Sequence, residues 1–257
     1  MTRLLKYSLS LLALAAVSLG STYMGLKVGR RFERNVLCCQ VPRERNLRLS
    51  IRETLGLAAF PSQIGQDKWV TETVFPDLTR GFFLDVGSGD GTVDSNSMVL
   101  EQKGWTGICI DPFPTNMHDR TCRMLKEVVF SEAGRKMSFQ ASGLLGGISD
   151  TLGAWKNTAM KAATVEFTTT TLAAILKTEE APRFIHFISL DIEGAELEAL
   201  KGFPFDQYRI GAMAVEHNFE EPKRTQIRAL MKQHGYRRVH SWSQDDFYRP
   251  AESTRRN

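Results

Sequence analysis

The chain has 257 residues, of which 42% are hydrophobic and 24% are charged, and this composition excludes a collagen-like, low-complexity or largely disordered protein. Four cysteines are too few for a small disulfide scaffold, and they do not fix the redox compartment. The formal net charge of +4 comes from residues 1–45, which hold eight basic and two acidic residues, so the slightly acidic remainder argues against nucleic acid as a partner.

The first predicted element is an apolar segment between two groups of basic residues. Residues 7–26 carry no charge, and a helix of this length spans a bilayer core of ~30 Å at ~1.5 Å per residue. Its most apolar part, residues 9–19, also has the length of a signal-peptide core. We predict a single-pass membrane anchor, with a cleaved segment and a secreted or organellar protein as the alternative. The greater basic charge after the segment favours a body facing the cytosol.

The rest of the chain shows alternating strand and helix patterns. Residues 1–50 are predicted to be the anchor or signal followed by a basic linker, and residues 51–257 to be the folded domain. Buried strands are predicted at residues 81–86, 106–111, 126–131, 183–191 and 210–217. Helices are predicted at residues 95–103, 172–177, 195–201 and 223–234. Antiparallel pairs are predicted from residues 136–140 with 164–168 and from residues 236–241 with 247–249.

This alternation predicts an α/β fold with a mainly parallel sheet. Each central strand is too apolar to face water, so we expect helices to cover both faces of the sheet. In such sheets, ligands bind beyond the carboxyl ends of the strands. Candidate functional residues are therefore those that follow each strand.

A glycine-rich loop follows the first strand with the spacing D-x-G-x-G-x-G, from Asp85 to Gly91. Glycines at these positions allow a sharp turn and a close approach of the backbone to a ligand. A dinucleotide loop has its third glycine one residue later, where Thr92 stands, so a nicotinamide-dependent oxidoreductase is disfavoured. The spacing fits S-adenosylmethionine, which has no phosphate. A glycine-rich turn without a ligand is the alternative.

The second strand ends at Asp111, one strand–helix–strand step after the glycine loop. A carboxylate at this place can accept hydrogen bonds from both hydroxyls of a ribose. The alternative role of Asp111 is to cap a turn before Pro112. Phe113 is predicted either to pack on an adenine ring or to be a core aromatic residue.

Three carboxylates follow the strand at residues 183–191, namely Asp191, Glu193 and Glu196. Asp191 and Glu193 differ by two and would point the same way in an extended segment. They could bind a cationic group, raise one another's pKa for proton transfer, or hold a metal, whereas Glu196 is expected to complement a helix start. His217 follows the next strand as a candidate general base, with an ordinary polar role as its alternative. No zinc-type Cys/His spacing is present, and no metal is assigned.

These motifs together resemble the FkbM-type methyltransferases, over about residues 62–248. The quoted matches are Ser62–Asp67, Phe83–Gly91, Ser95–Asn96, Leu100–Glu101, Gly104–Trp105, Ile110–Pro112, Ser189–Glu196, Glu216–Asn218 and Gln244–Tyr248. The resemblance implies a class I, Rossmann-like methyltransferase fold of seven strands with the last one antiparallel. It also implies S-adenosylmethionine as the methyl donor and, usually, O-methylation of a hydroxyl or carboxyl group.

The resemblance also implies roles for individual residues. It implies that Asp85, Gly87, Gly89 and Gly91 form the cofactor loop and that Asp111 binds the ribose, and Asn96, Gln66 and Asp67 match further family positions. Asn96, expected to contact the methionine end, and Phe113, from its place after Asp111, complete the predicted cofactor-binding residues. The predicted catalytic residues are Asp191, Glu193 and His217, with Asp191 or His217 as the base and Glu193 orienting the acceptor or the ammonium group of the donor. The acceptor is left open between a small molecule, a glycan, a lipid and a protein side chain. A non-catalytic, membrane-associated interaction protein that keeps the fold is the alternative function.

Overall fold

The computed structural model describes residues 59–251. The predicted anchor, the basic linker and the domain boundary at residue 50 lie outside these residues. Within the described range, none of the helices has both the length and the apolar character needed to cross a bilayer.

Strands and short helices alternate along the described chain. The strands are β1 Phe82–Val86, β2 Thr106–Ile110, β3 Arg123–Leu125, β4 Val128–Val129, β5 Lys136–Gln140, β6 Gly147–Ile148, β7 Thr164–Thr170, β8 Phe184–Leu190, β9 Arg209–Glu216, β10 Tyr236–Trp242 and β11 Asp245–Pro250. The α-helices are α1 Gln66–Lys68, α2 Met98–Gln102, α3 Lys156–Ala159, α4 Leu172–Thr178, α5 Glu196–Lys201 and α6 Lys223–Gln233. A π-helical segment, Trp69–Val74, continues α1, and a 3₁₀ turn occupies Gly143–Leu145.

Seven strands form the main sheet in the order β10-β11-β9-β8-β1-β2-β3. Neighbouring strands from β9 to β3 are parallel, whereas β11 is antiparallel to both β9 and β10. The sheet is therefore mixed, with the last strand of the sequence antiparallel, and this confirms the strand arrangement that the resemblance implies. The terminal antiparallel pair is confirmed as well.

Side chains alternate between the two faces of the main sheet because successive residues of a strand point to opposite sides. Leu84 and Val86 of β1 belong to a core cluster with residues of α4, α5 and α6, which defines the α4–α6 face. Phe83 belongs to a second cluster with Val70 of the π-helical segment and Leu100 of α2, which defines the α1–α2 face. Helices thus cover both faces, as predicted.

The strand predicted at residues 126–131 is wrong as the third strand of the main sheet. The pairing partner of β2 is β3, which is partly exposed and, with three residues, too short to show a strand pattern in the sequence. The apolar residues Val128 and Val129 instead form β4, which pairs with β7 in a separate four-stranded sheet of order β4-β7-β5-β6. The antiparallel pairing of β5 with β7 in that sheet confirms the pair predicted for residues 136–140 and 164–168.

Candidate active site

The glycine loop at the end of β1 packs directly against the end of β8. Gly87 has a φ of +86°, and a Cβ at this position would collide with the carbonyl oxygen of Asp191. A Cβ on Gly91 would lie 2.5 Å from the carbonyl oxygen of Asn116. These two glycines therefore permit backbone contacts that no larger residue could make. Gly89 is covered by the side chain of Leu144, whose Cδ2 would be 2.7 Å from a Cβ there.

Buried polar contacts hold this loop from the α1–α2 face. Asp85 is buried and accepts a hydrogen bond from the Ser97 hydroxyl. Arg120 donates to Ser97 Oγ (2.7 Å) and to the Gly91 carbonyl (2.9 Å), and it pairs with Glu101 (2.9 Å). Burial raises the pKa of Asp85 to about 6, against the opposing effects of Ser97 and Arg120. Asp85 is predicted to bind the cofactor, and in the structure its carboxylate is buried and forms hydrogen bonds that stabilise the glycine loop.

A disulfide bond joins Cys109 of β2 to Cys122, which directly precedes β3. The two cysteines are 13 residues apart, and the segment between them carries Asp111, Phe113 and Arg120. The bond therefore closes the loop that contains the predicted nucleoside contacts. The cysteine spacing alone did not predict this pairing.

Asp111 lies next to the glycine loop, at the end of β2. Its two carboxylate oxygens accept hydrogen bonds from the Gly89 N–H (3.0 Å) and the Phe113 N–H (2.7 Å). Each oxygen keeps a further lone pair, so the carboxylate has capacity for two ligand hydroxyls. Burial raises the pKa of Asp111. The turn-capping role and the capacity to bind a ribose are therefore compatible.

Phe113 is 39% exposed and packs against two aromatic residues of the second sheet. Its ring centroid lies 5.7 Å from that of Phe139 and 5.5 Å from that of Phe167. The ring is therefore held on one side, while part of it stays open to solvent beside Asp111.

Asn96 is buried and has one polar atom without a partner. Its amide Nδ2 donates to Ser189 Oγ at 2.9 Å, whereas Oδ1 has no hydrogen-bond partner within the described part of the chain. Ser189 lies on β8 with its side chain on the α1–α2 face, as Asp85 does on β1. Buried carbonyl oxygens are normally satisfied, so Asn96 Oδ1 is suited to accept a hydrogen bond from a ligand.

Three carboxylates, Asp191, Glu193 and Glu216, converge at the ends of β8 and β9, and we call them the carboxylate cluster. Their oxygens lie within 4.8 Å of one another. Burial raises the pKa of both Asp191 and Glu216, and the hydrogen bond between the two side chains opposes this rise at Asp191 and adds to it at Glu216. Burial and the charges of Asp191 and Glu196 raise the pKa of Glu193 to about 9. The amide of Asn218 donates to Glu216 (2.7 Å) and Glu193 (3.3 Å).

The extended geometry predicted for residues 191–193 is wrong, although both carboxylates reach the same cluster. Glu193 has a φ of +54° and Gly194 a φ of +120°, so the chain turns instead of continuing as a strand. Glu196 accepts hydrogen bonds from the N–H groups of Ile192 (3.1 Å) and Gly194 (2.9 Å). This contact stabilises the turn at the start of α5, which is the local role that the sequence indicates for Glu196.

Two further side chains extend the carboxylate cluster towards β11 and α1. Asp245 is opposite Glu216 in the β9–β11 pairing and accepts a hydrogen bond from Gln66 Nε2 at 2.9 Å. Burial raises the pKa of Asp245 to about 8. Sequence reasoning did not assign Glu216 or Asp245 to the site, although Glu216 ends β9 and Asp245 begins β11 at this edge of the sheet.

The structure does not bring His217 to the carboxylate cluster. Its ring Nδ1 accepts a hydrogen bond from the Phe219 N–H (3.0 Å), and its Nε2 faces Asp246 Oδ1 at 3.6 Å. Burial, followed by the charge of Arg224, lowers the pKa of His217 to about 4. The imidazole is therefore neutral near pH 7, and the lone pair on Nδ1 is already engaged. The alternation of side chains after β9 places Glu216 in the cluster and His217 on the other side.

The carboxylate cluster contains more acidic side chains than the basic side chains around it can neutralise. Within residues 59–251, no Lys or Arg forms a salt bridge with these three carboxyls, and the neighbouring Lys223 pairs with Glu220 (2.5 Å) and lies 3.9 Å from Glu196. Closely spaced buried carboxyls either share protons or bind a cation, because several uncompensated charges cannot be buried together. The arrangement can therefore accept a proton, hold a cationic ligand or ligate a hard divalent cation.

Comparisons with known proteins identify the family of the chain. A search of curated proteins gives no match. A scan against family models matches residues 85–238 to the family described as Methyltransferase FkbM domain. The matched range begins at Asp85 and contains the glycine loop, Asp111 and the carboxylate cluster, and it covers more than half of the chain. The chain therefore belongs to the FkbM methyltransferase family.

Proposed function

We propose that the protein is an S-adenosylmethionine-dependent methyltransferase that methylates an oxygen atom of its acceptor. The observation that carries this proposal is the contact between Gly87 and the backbone of Asp191. This contact sets the predicted nucleoside loop directly beside the neighbouring carboxyl groups of Asp191 and Glu216, both of which have a raised pKa. A methyl transfer to oxygen needs these two features next to each other, a donor site and a proton acceptor.

The residues at the end of β1 and β2 fit S-adenosylmethionine. Asp111 retains lone pairs for the ribose hydroxyls, and Phe113 presents a partly open aromatic face beside it. Asn96 Oδ1 is a buried acceptor without a partner, which suits the ammonium group of the methionine part. The acidic surroundings also favour a ligand with a positively charged sulfonium. When bound, this donor supplies an activated methyl group.

The carboxylate cluster performs the proton transfer in this proposal. Asp191 accepts the proton of the acceptor hydroxyl, and its hydrogen bond with Glu216 holds the carboxyl in place. Glu193 keeps its own proton near pH 7, because its pKa is raised to about 9, and it orients the acceptor as a hydrogen-bond donor. His217 is not needed as a base, since its nitrogen atoms face Phe219 and Asp246.

Labelled methyl transfer tests the proposal. Purified full-length protein is incubated with S-adenosylmethionine carrying a labelled methyl group and with lysate fractions, and the label is followed into products. The predicted anchor at residues 7–26 makes membrane fractions the first to test. We expect the label in one acceptor class, linked through oxygen, and lost with Asp191→Asn. Binding of S-adenosylmethionine without transfer to any fraction would instead favour the interaction protein that keeps the fold.

A further inference from the structure

A second charged cluster lies on the α4–α6 face of the main sheet, around the buried side chain of Asp246. Asp246 accepts hydrogen bonds from Arg224 through Nε (3.3 Å) and NH2 (2.9 Å). It also accepts from Arg228 Nε at 2.9 Å and from Arg238 NH1 at 3.3 Å. We call these four residues the arginine cluster. Its members come from α6, β10 and β11, so tertiary packing and not a local sequence run brings them together.

The charges in the arginine cluster do not balance. Hydrogen bonds from Arg224 and Arg228 hold the pKa of Asp246 well below its usual range, although burial opposes this shift, so the group is a carboxylate. Three guanidinium groups then face one negative charge. Glu221, at the start of α6, adds an exposed carboxylate that reduces the excess without removing it. The cluster therefore keeps a net positive charge at the surface.

The hydrogen-bond donors are also in excess. A carboxylate offers about four lone pairs, and those of Asp246 are occupied by the three arginines, with the Tyr248 hydroxyl a further donor at 3.5 Å. Arg228 contacts Asp246 only through Nε, and Arg238 only through NH1, and their side chains are 32% and 40% exposed. Their other guanidinium N–H groups have no acceptor within residues 59–251. One buried carboxylate thus fixes two arginines whose remaining donors point away from it.

We propose that the arginine cluster binds a phosphate group, through the free guanidinium N–H groups of Arg228 and Arg238. Guanidinium forks match the oxygens of a phosphate, and fixing them in advance lowers the entropic cost of binding. A phosphate monoester carries a charge of about −1.5 to −2 near pH 7, which the excess of the cluster can balance. This site lies on the opposite face from the carboxylate cluster and does not depend on methyl transfer.

Calorimetric titration of the full-length protein in detergent with inorganic phosphate tests the site. We expect saturable binding, and chloride at the same ionic strength should not reproduce it. Replacing both arginines, Arg228→Gln with Arg238→Gln, should weaken binding by about tenfold or more, because two charge-assisted contacts are lost. Arg135→Gln is the matched control, since Arg135 is a half-exposed arginine next to β5. If the double variant fails to fold, Arg238→Gln alone supplies the comparison.

Two outcomes would overturn the proposal. One is the absence of saturable phosphate binding in the wild type, and the other is equal binding in the wild type and the arginine variants. A second pair of probes distinguishes a lipid headgroup from a soluble phosphate compound as the ligand. Binding to phosphatidylcholine vesicles that contain phosphatidic acid, lost in the arginine variants, would assign the site to a lipid headgroup. Arginine-dependent binding of glycerol phosphate without an effect on vesicles would assign it to a soluble ligand.

Discussion

Asp111 contributes a single carboxylate that both orders the glycine loop and keeps lone pairs for a ligand. We expect Asp111→Ala to weaken the binding of S-adenosylmethionine by on the order of tenfold to a hundredfold, because hydrogen bonds to a charged group are lost. Calorimetry with the purified protein measures this change. Asp119→Asn is the control, since Asp119 lies in the same loop with a 74% exposed side chain. Unchanged affinity in Asp111→Ala would contradict the ribose-binding role.

The proton acceptor can be identified by comparing two variants. Asp191→Asn should reduce turnover by on the order of 10²- to 10⁴-fold while cofactor binding is retained, because it removes the base and not the donor site. His217→Gln should change turnover only a few-fold, since its ring contacts Phe219 and Asp246. Single-turnover methyl transfer measures both effects. The reverse pattern, with a folded but inactive His217→Gln protein and an active Asp191→Asn protein, would assign the base to His217.

The sequence predicted part of the site at this scale. Asp111 and the glycines follow strands with a recognisable spacing, so their positions could be inferred locally. The pairing of Asp191 with Glu216 could not, because it depends on how β8 and β9 align. The same holds for Asp245, which begins an antiparallel strand and therefore lies at the edge where the parallel strands end.

At the level of elements, the turn after β1 can be tested with two matched glycines. Gly87 and Gly134 have φ values of +86° and +84°, but a Cβ would meet backbone at Gly87 and nothing within 4 Å at Gly134. Gly134→Ala should cost about 1 kcal/mol from the left-handed conformation alone. Gly87→Ala should cost about 3 kcal/mol or more, since it adds a backbone clash. Urea unfolding measures both, and equal losses would show that the clash is relieved without cost.

The disulfide bond allows a second test of an element. Cys122→Ser should lower the free energy of unfolding by about 3 kcal/mol, the value expected for a closed loop of this size. It should also weaken the binding of S-adenosylmethionine, because the released loop carries Asp111 and Phe113. Treatment of the wild type with a dithiol should give the same two changes. Full stability and affinity after verified reduction would show that the other contacts of the loop, including those of Arg120, are sufficient.

Predictability also differed between elements for a physical reason. β1, β2, β8 and β9 are buried on both faces, so their sequences are apolar runs that end at polar or glycine residues. β3 lies at the sheet edge and is partly exposed, and its identity as a strand depends on pairing with β2. Edge strands of this kind have no sequence pattern strong enough to be found without the tertiary structure.

For the whole molecule, the raised carboxyl pKa values predict how stability changes with pH. Glu193 changes from its ordinary value of 4.5 to about 9 on folding, so the folded state keeps a proton that the unfolded state releases. The contribution of Glu193 to the free energy of unfolding is fully present below pH 4.5 and is lost as the pH rises through about 9. Asp245, with a pKa raised to about 8, acts in the same direction. We therefore expect the melting temperature of the protein without ligand to fall from neutral pH towards pH 9.

The experiment compares melting temperatures of the wild type and Glu193→Gln above pH 6.5. His217 has a pKa lowered to about 4, so its opposite contribution is complete above 6.5 and does not interfere. The variant should show a smaller fall than the wild type. Glu166→Gln, at an exposed position of β7, should leave the fall unchanged. A fall of equal size in all three proteins would place its cause outside Glu193.

The seven strands of the main sheet, with the last one antiparallel, were predictable because the motifs resemble a family, whereas composition and periodicity alone indicate only an α/β fold with a mainly parallel sheet. Of the second sheet, only the antiparallel pair of β5 and β7 was predicted. Its remaining strands, β4 and β6, have two residues each, and strands this short leave no periodic signal in a sequence.

β11 begins with two aspartates whose pKa values are shifted in opposite directions. Asp245 faces the carboxylate cluster with a raised pKa, and Asp246 faces three arginines with a lowered one. A deletion or insertion of one residue in the turn before them would turn each of the two side chains to the opposite face of the sheet, because strand side chains alternate. Only one of the two positions would then hold an aspartate, and the core residues Phe247 and Tyr248 would also change faces. We therefore expect natural variants of this turn to differ in length by even numbers of residues, so that each side chain of β11 stays on its own face of the sheet.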